Sequence, residues 1–291
     1  MKTIAFFSEK GGVGKSSFTI MYASWLQKHG IRVGVADFNN RISAYRMSEI
    51  RERNKFIEKN PDAGIQPFNE AASWPIVNAY NSEVDDYRKE GSQFPYANWF
   101  KDQVQKGKLN GLDVVLCDFP GNLSGGEFKD LLTLNQLGLI VIPTEKDQMT
   151  LQSTLRLCDI LKKLKKNFCC FINKAQLGMK NYRGQYTLLG RRLAEKGIPM
   201  LPDIITYSER MMTIEKVDII RSTFGFPDFS KGEYKRISDL GIENLFIDIT
   251  RELNKSSELE NTEPVMLDFI NEMQKKDDGR CFKGSNFPEY E

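Results

Sequence analysis

Lys10-Gly11-Gly12-Val13-Gly14-Lys15-Ser16 follows directly on the apolar run Ile4-Ala5-Phe6-Phe7, so strand, glycine-rich turn and helix start succeed one another. Glycines let a main chain approach a ligand closely and adopt dihedrals that a Cβ forbids. Successive N–H groups then point inward as an anion nest, and the helix that follows turns its positive end toward the same charge. In such a loop Lys15 can reach the β- and γ-phosphates of a nucleotide, and the Ser16 hydroxyl can take one position on Mg²⁺. Ser17 falls at the helix start, within reach of an α-phosphate. The common form of the loop, G-x-x-x-x-G-K-S/T, requires glycine at position 9, where this chain has Glu9. A second lysine, Lys10, stands five residues before Lys15 instead.

That departure resembles the deviant Walker A loop (P-loop) of the ParA/MinD family of ATPases, K-G-G-x-G-K-S/T. The resemblance implies ATP and Mg²⁺ as cofactors and hydrolysis of ATP to ADP and phosphate. It also implies an ATP-dependent homodimer, a nucleotide sandwich in which Lys10 reaches the phosphates of the partner subunit. Lys15 and the amides of Gly11, Gly12, Val13 and Gly14 would then neutralise the phosphates within one subunit. The likeness is strong over about 1–43 and 111–150, moderate to about 215 and faint beyond.

The rest of the chain alternates apolar runs with helical patterns, which predicts an α/β fold: a mostly parallel twisted sheet with helices on both faces. Strands are expected near Thr3–Phe7, Arg32–Ala36, Leu112–Cys117, Leu139–Pro143 and Phe168–Ile172, with Ile204-Ile205 a further candidate. Each run is short and nearly continuous in apolar character, as a sheet buried on both faces requires. Phe18, Met21, Tyr22, Trp25 and Leu26 recur at helical spacing up to Gly30, with His29 as a C-terminal cap. Residues 44–108 are polar and turn-rich; they read as a covering segment with helices near 44–60 and 94–106, inside a single domain spanning 1–276. Helical patterns recur at 241–253 and 264–276, and 277–291 reads as a tail.

Ligands of such sheets bind at the carboxyl ends of the strands. Asp118, followed by Phe119-Pro120-Gly121, closes one strand about 100 residues after the loop. It takes the Walker B position, where a carboxylate can hold Mg²⁺. Asp37-Phe38-Asn39-Asn40-Arg41 lies where ParA-like proteins carry a D-x-D-P-Q switch; Asp37 matches the first aspartate, whereas Asn39 replaces the second. An amide oxygen can orient a water but cannot take its proton, so the replacement implies slow hydrolysis or a larger share of the work for Asp37. Asn173, before Lys174, matches the strand-end amide that approaches adenine in the family. Pro202–Arg210 resembles loosely the loop over the base, with Thr206-Tyr207 in place of the usual Pro-Arg.

Composition sets the remaining bounds. The chain has 291 residues, 27% charged, and a net charge of +2, without an apolar stretch long enough for a membrane span. No basic-then-apolar leader precedes the first strand, so the expected location is cytoplasmic. Cys117, Cys158, Cys169, Cys170 and Cys281 are odd in number and lack C-x-x-C spacing, which predicts reduced thiols. Charge is unevenly spread: Arg156–Lys196 holds eleven Lys/Arg against two acids, and Glu233–Glu291 eight against fourteen. The basic stretch, densest at Lys162-Lys163-Leu164-Lys165-Lys166 and extended by Arg183, Arg191 and Arg192, points to non-specific DNA contact. The expected function is therefore plasmid or chromosome partition, or transfer of a mobile element, with a ParB-like or other adaptor protein as activator. A MinD-like membrane-cycling regulator would need a basic amphipathic C-terminal helix, whereas Pro264–Met273 is acidic. A small-molecule enzyme of the dethiobiotin-synthetase kind has no use for a lysine acting across a dimer.

Overall fold

The computed structural model describes residues 1–39, 42, 74–79, 95–121, 130, 137–175, 182–206 and 242–255. In chain order the elements are β1 (Lys2–Phe6), α1 (Lys15–Lys28), β2 (Val33–Asp37), β3 (Ile76–Asn78), α2 (Tyr96–Gln105) and β4 (Val114–Asp118). They continue with β5 (Leu137–Thr144), α3 (Gln148–Lys163), β6 (Phe168–Ala175), α4 (Tyr182–Glu195), β7 (Met200–Thr206) and α5 (Ile242–Lys255). Among the described residues seven strands form one sheet in the order β3-β2-β4-β1-β5-β6-β7, and every pairing is parallel. The α/β doubly wound architecture expected from the sequence is the one observed.

Strand periodicity sorts the core into two layers. Ile4 and Phe6 of β1 join Phe18, Tyr22 and Trp25 of α1 and Phe246 and Ile249 of α5 on one face. Ala5, together with Phe7 just past the strand, joins Tyr96, Trp99 and Phe100 of α2, Leu157 and Leu161 of α3 and Leu193 of α4 on the other. The same alternation separates neighbouring cysteines: Cys169 faces the α1 layer and Cys170 the α3 layer. Cys170 Sγ lies 3.6 Å from Cys158 Sγ, and the four described cysteines are all buried free thiols, as expected. His29 caps α1 as expected; its Nδ1 lies 2.7 Å from the Trp25 carbonyl oxygen.

The strand-bearing runs of the sequence all become strands, with bounds moved by a few residues. Ile204-Ile205 belongs to a longer strand, β7, whose Pro202 is tolerated because among the described residues β7 pairs only with β6 and forms an edge. Tyr96–Gln105 and Ile242–Lys255 realise two expected helices; those at 44–60 and 264–276, and the tail 277–291, lie outside the described residues. One element was not expected. Ile76–Asn78 adds a seventh strand inside the covering segment, with Val35 opposite Ile76 and Asp37 opposite Asn78.

Because β1 lies between β4 and β5, the chain reverses its direction of winding at that point. Such a reversal opens a crevice beyond the carboxyl end of β1, where ligands of this architecture bind. The loop Phe7–Gly14 leaves β1 into that crevice.

Candidate functional site

Two glycines shape the loop: Gly12 has φ +77° and Gly14 φ +93°, both in the left-handed region where a side chain is strained. Gly14 is the N-cap of α1, so the helix begins on the loop's last turn. Lys15, only 6% exposed, folds back and its Nζ donates to the Lys10 carbonyl at 3.0 Å. Gly121, just beyond β4, sits against the same turn; a Cβ there would come within 3.0 Å of Gly11 N and 3.1 Å of Lys15 Nζ. The Phe119-Pro120-Gly121 turn therefore closes on the loop through the absence of a side chain.

Three predicted metal and switch residues come together beneath it. Asp37 and Asp118 stand opposite each other on β2 and β4, both with zero exposure. Ser16 Oγ donates to Asp118 Oδ2 at 2.7 Å. The other oxygen, Oδ1, is buried with no hydrogen-bond partner among the described residues. Burial and the adjacent Asp37 charge push the Asp118 carboxyl up to about 7, against the opposing pull of the Ser16 bond, the Lys15 charge and the nearby Asn39 amide. A buried carboxylate oxygen with nothing to pair it, beside a hydroxyl and a second carboxylate, forms a hard-oxygen set that suits Mg²⁺. The residues present thus fit the ion implied by the sequence. Asn39 donates its backbone N–H to Asp37 Oδ1 at 3.0 Å, and so closes the end of β2 over the pair.

Lys10 is engaged within its own chain. Its ammonium donates to Asp147 Oδ2 at 2.9 Å and to Thr150 Oγ1 at 2.7 Å. Asp147 is the N-cap of α3 and also accepts from the Thr150 amide at 3.0 Å and from the Thr150 hydroxyl. Burial works to raise the Asp147 carboxyl, but the Thr150 and Lys10 bonds prevail and hold it down to about 2. Glu9, at the position the common loop gives to glycine, pairs with Arg156 of α3.

Asn173 is 3% exposed, and its Nδ2 donates to the Val13 carbonyl at 2.9 Å. One donor of the amide expected at adenine is therefore spent on the loop. Its neighbour Lys174 donates to the Gly12 carbonyl at 2.6 Å and pairs with Glu145 at 2.9 Å. Sequence reading assigned no role at the loop to Lys174, Glu145, Asp147 or Thr150; Lys174, Asp147 and Thr150 meet the loop from more than 130 residues away, Glu145 joins through Lys174, and no local spacing marks them. Ser17 is half-buried in the first turn of α1, beside this group. Tyr207 and Arg210 lie outside the described residues.

The basic stretch does not form one patch. Arg156 and Lys174 are paired near the loop, at the carboxyl ends of the strands. Lys162 and Lys163 end α3, Lys165 and Lys166 lead into β6, and Arg191, Arg192 and Lys196 end α4, so these seven lie toward the opposite end of the sheet. Lys162 Nζ donates to the Lys196 carbonyl at 2.8 Å, which ties the two helix ends together.

Residues 4–218 match the CobQ/CobB/MinD/ParA nucleotide binding domain, which is most of the chain. The chain belongs to that family. Its matched span agrees with the extent of the resemblance read from the motifs. No curated protein matches the sequence. Among solved structures, the ParA of pNOB8 is similar at 16% identity over 89% of this chain and 99% of its own, with a TM-score of 0.52. An AMPPNP-bound protein of Borrelia burgdorferi B31 assigned to plasmid partition is similar at 17% identity over 84% of this chain and 99% of its own, with a TM-score of 0.50. The septum site-determining protein MinD of Pyrococcus horikoshii OT3, complexed with Mg-ADP, is similar at 15% identity over 89% and 96% of the two chains, with a TM-score of 0.49. At these identities the likeness to the first two structures is one of fold. Among the described residues no helix is long and apolar enough to cross a membrane.

Proposed function

We propose that the chain is a ParA-like ATPase that closes an ATP-dependent homodimer, binds DNA without sequence preference and moves or partitions a DNA cargo. The observation that carries the reading is the pair of lysines in one loop, Lys15 folded inward and Lys10 held at the surface, above the Ser16–Asp118 bond. Lys15 and the amides of Gly11 to Gly14 bind the phosphates of ATP. Ser16 and Asp118 would hold Mg²⁺, which supplies positive charge to the β- and γ-oxygens. Asp37 and Asn39 orient the attacking water; with an amide at position 39, Asp37 is the carboxylate left to take its proton, and turnover is slow. Asn173 keeps its carbonyl for the base edge while its amino group holds the loop.

Dimer closure asks Lys10 to leave Asp147 and Thr150 and reach the partner's phosphates. The exposed lysines and arginines at the ends of α3 and α4 are a fitting surface for duplex DNA, since they lie away from the loop and stay open in a dimer that closes over it. A ParB-like or other adaptor would stimulate hydrolysis and release. Light scattering with ATP, ADP and no nucleotide, followed by retention on random duplex DNA across a salt series, tests the reading. A dimer only with ATP, and retention that falls steeply with salt at a slope of about 0.9 per phosphate contacted, are expected. A monomer under ATP, or retention indifferent to salt, refutes it. Retention by anionic vesicles in place of DNA would shift the reading to a membrane-cycling regulator.

A further inference from the structure

We propose that Lys174 is a positioning residue for the phosphates: held by Glu145, its ammonium fixes the Gly12 carbonyl outward and so aims the Val13 amide at the bound nucleotide. The inference rests on the ATP-binding reading of the loop and adds to it a residue on another strand.

Four observations support it. Lys174 Nζ lies 2.6 Å from Gly12 O and 2.9 Å from Glu145 Oε1, so one ammonium joins the loop to the end of β5. Asn173, the preceding residue, holds the next carbonyl, Val13 O, at 2.9 Å. Consecutive peptides of the loop are therefore gripped by consecutive residues of β6. In a trans peptide the carbonyl and the following N–H point opposite ways, and no described peptide is cis. A Gly12 carbonyl drawn toward Lys174 thus sends the Val13 N–H the other way, and a Val13 carbonyl drawn toward Asn173 does the same for the Gly14 N–H. Finally, Lys174 adopts φ +55°, and the only other non-glycine residue at positive φ among the described residues is Lys165. That region disfavours a residue with a Cβ, so the surrounding contacts must impose it.

A lysine that only balances Glu145 would need neither the strained backbone nor a carbonyl of the loop. Both features are explained if the strand end presses two loop peptides into the conformation that phosphate binding requires. The arrangement also accounts for the tight fit of Gly14, where a Cβ would come within 3.2 Å of Asn173 Nδ2.

Full-length Lys174→Gly, Lys174→Arg and Glu145→Gln are titrated with MgATP and MgADP, and each is melted without nucleotide. Glycine removes the ammonium while relieving the backbone, so the nucleotide-free melting temperature should hold. Both nucleotides should bind Lys174→Gly about tenfold more weakly, as expected for loss of a charged hydrogen bond. Arginine should restore most of that affinity, and Glu145→Gln should show a smaller loss. In turnover KM for MgATP should rise while kcat stays within about twofold, because these peptides hold the phosphates equally in ground and transition states. Wild-type affinity in Lys174→Gly overturns the proposal, as does a lowered melting temperature with unchanged affinity. If glycine prevents folding, Lys174→Met, which keeps the stem and loses only the charge, decides by the same criteria. A wild-type protein that binds neither nucleotide sinks the ATP reading and this proposal together; wild-type binding with unaffected variants sinks the proposal alone.

Discussion

The two halves of the phosphate loop are built differently. Glu9 and Lys10 are held by ion pairs to α3, and the Lys10 and Asp147 side chains remain 40% and 42% exposed. Pairs of that kind contribute about 0–1 kcal/mol and exchange readily with other partners. Val13 to Ser16 are held instead by buried groups: Asn173 at 3% exposure, Ser16 at 8% and Asp118 at zero. Removing one partner from a buried bond strands the other and costs about 1–3 kcal/mol. On the proposed reading, the half that must be ready before ATP arrives is thus fixed from inside the sheet. The half assigned to the partner subunit rests on contacts that a closing dimer can replace.

The largest effect expected from this division is at Lys15. Lys15→Ala should weaken MgATP about a hundredfold or more, through lost charge at the β- and γ-phosphates in a buried setting. Titration calorimetry on the monomer checks it, and near-normal affinity would erase the distinction between the halves. Lys10→Ala should do the reverse: MgATP affinity within about twofold of wild type, since among the described residues the Lys10 ammonium meets only the start of α3 and the carbonyl that accepts from Lys15 is kept, but no dimer with ATP in light scattering. A stable ATP dimer of that variant would remove Lys10 from the partner's site.

A smaller effect tests whether the buried half is chemically complete. Asn39→Asp should raise steady-state ATP turnover several-fold, by returning a proton acceptor beside Asp37; this is less than the full factor of about 10²–10⁴ associated with general base catalysis, because Asp37 already shares the work. The counterweight is electrostatic. Asp118 is already pushed up to about 7 by burial and by Asp37, so a third carboxylate makes Mg²⁺ more necessary to the site. Turnover of the variant should therefore need magnesium more strictly than wild type. A rate at or below wild type under saturating magnesium would show that position 39 is not a weakened water site.

Much of this was legible in the sequence, and the exceptions have physical causes. Apolar runs ending in Asp37, Asp118 and Asn173 gave away the strands of a sheet buried on both faces, and with them the crevice. β3 was invisible because three residues after Pro75, of which only Val77 is buried, make no run of their own; pairing with β2 creates the strand. The basic stretch read as one surface because sequence counts charge without regard to which end of a helix carries it. Alternation of β5, α3, β6 and α4 instead delivers Arg156 and Lys174 to the loop and Lys162, Lys163, Lys165, Lys166 and Lys196 to the far end. The partners of Lys10 were hidden for another reason. Asp147 and Thr150 carry no motif of their own in the sequence, and only the fold brings the cap they form on α3 to the loop.

The smallest expected effect lies in that cap and sharpens the comparison most. If Asp147 and Thr150 hold Lys10 away from a partner, weakening the hold should favour the dimer. Asp147→Asn keeps an acceptor for the Thr150 amide and removes the charge, so α3 should start where it does now. The ATP dimer should then form at a protein concentration up to about fivefold lower, the equivalent of an exposed ion pair of about 1 kcal/mol. The pH dependence follows from the sign of the Asp147 shift. A carboxyl held down to about 2 stays ionised above the ordinary carboxylate range, and its hold on Lys10 disappears only as pH falls through about 2. The difference between wild type and Asp147→Asn should accordingly be constant from pH 6 to 8 when followed by light scattering. A dimer that forms less readily in the variant would mean that Asp147 guides Lys10 toward the partner instead of restraining it.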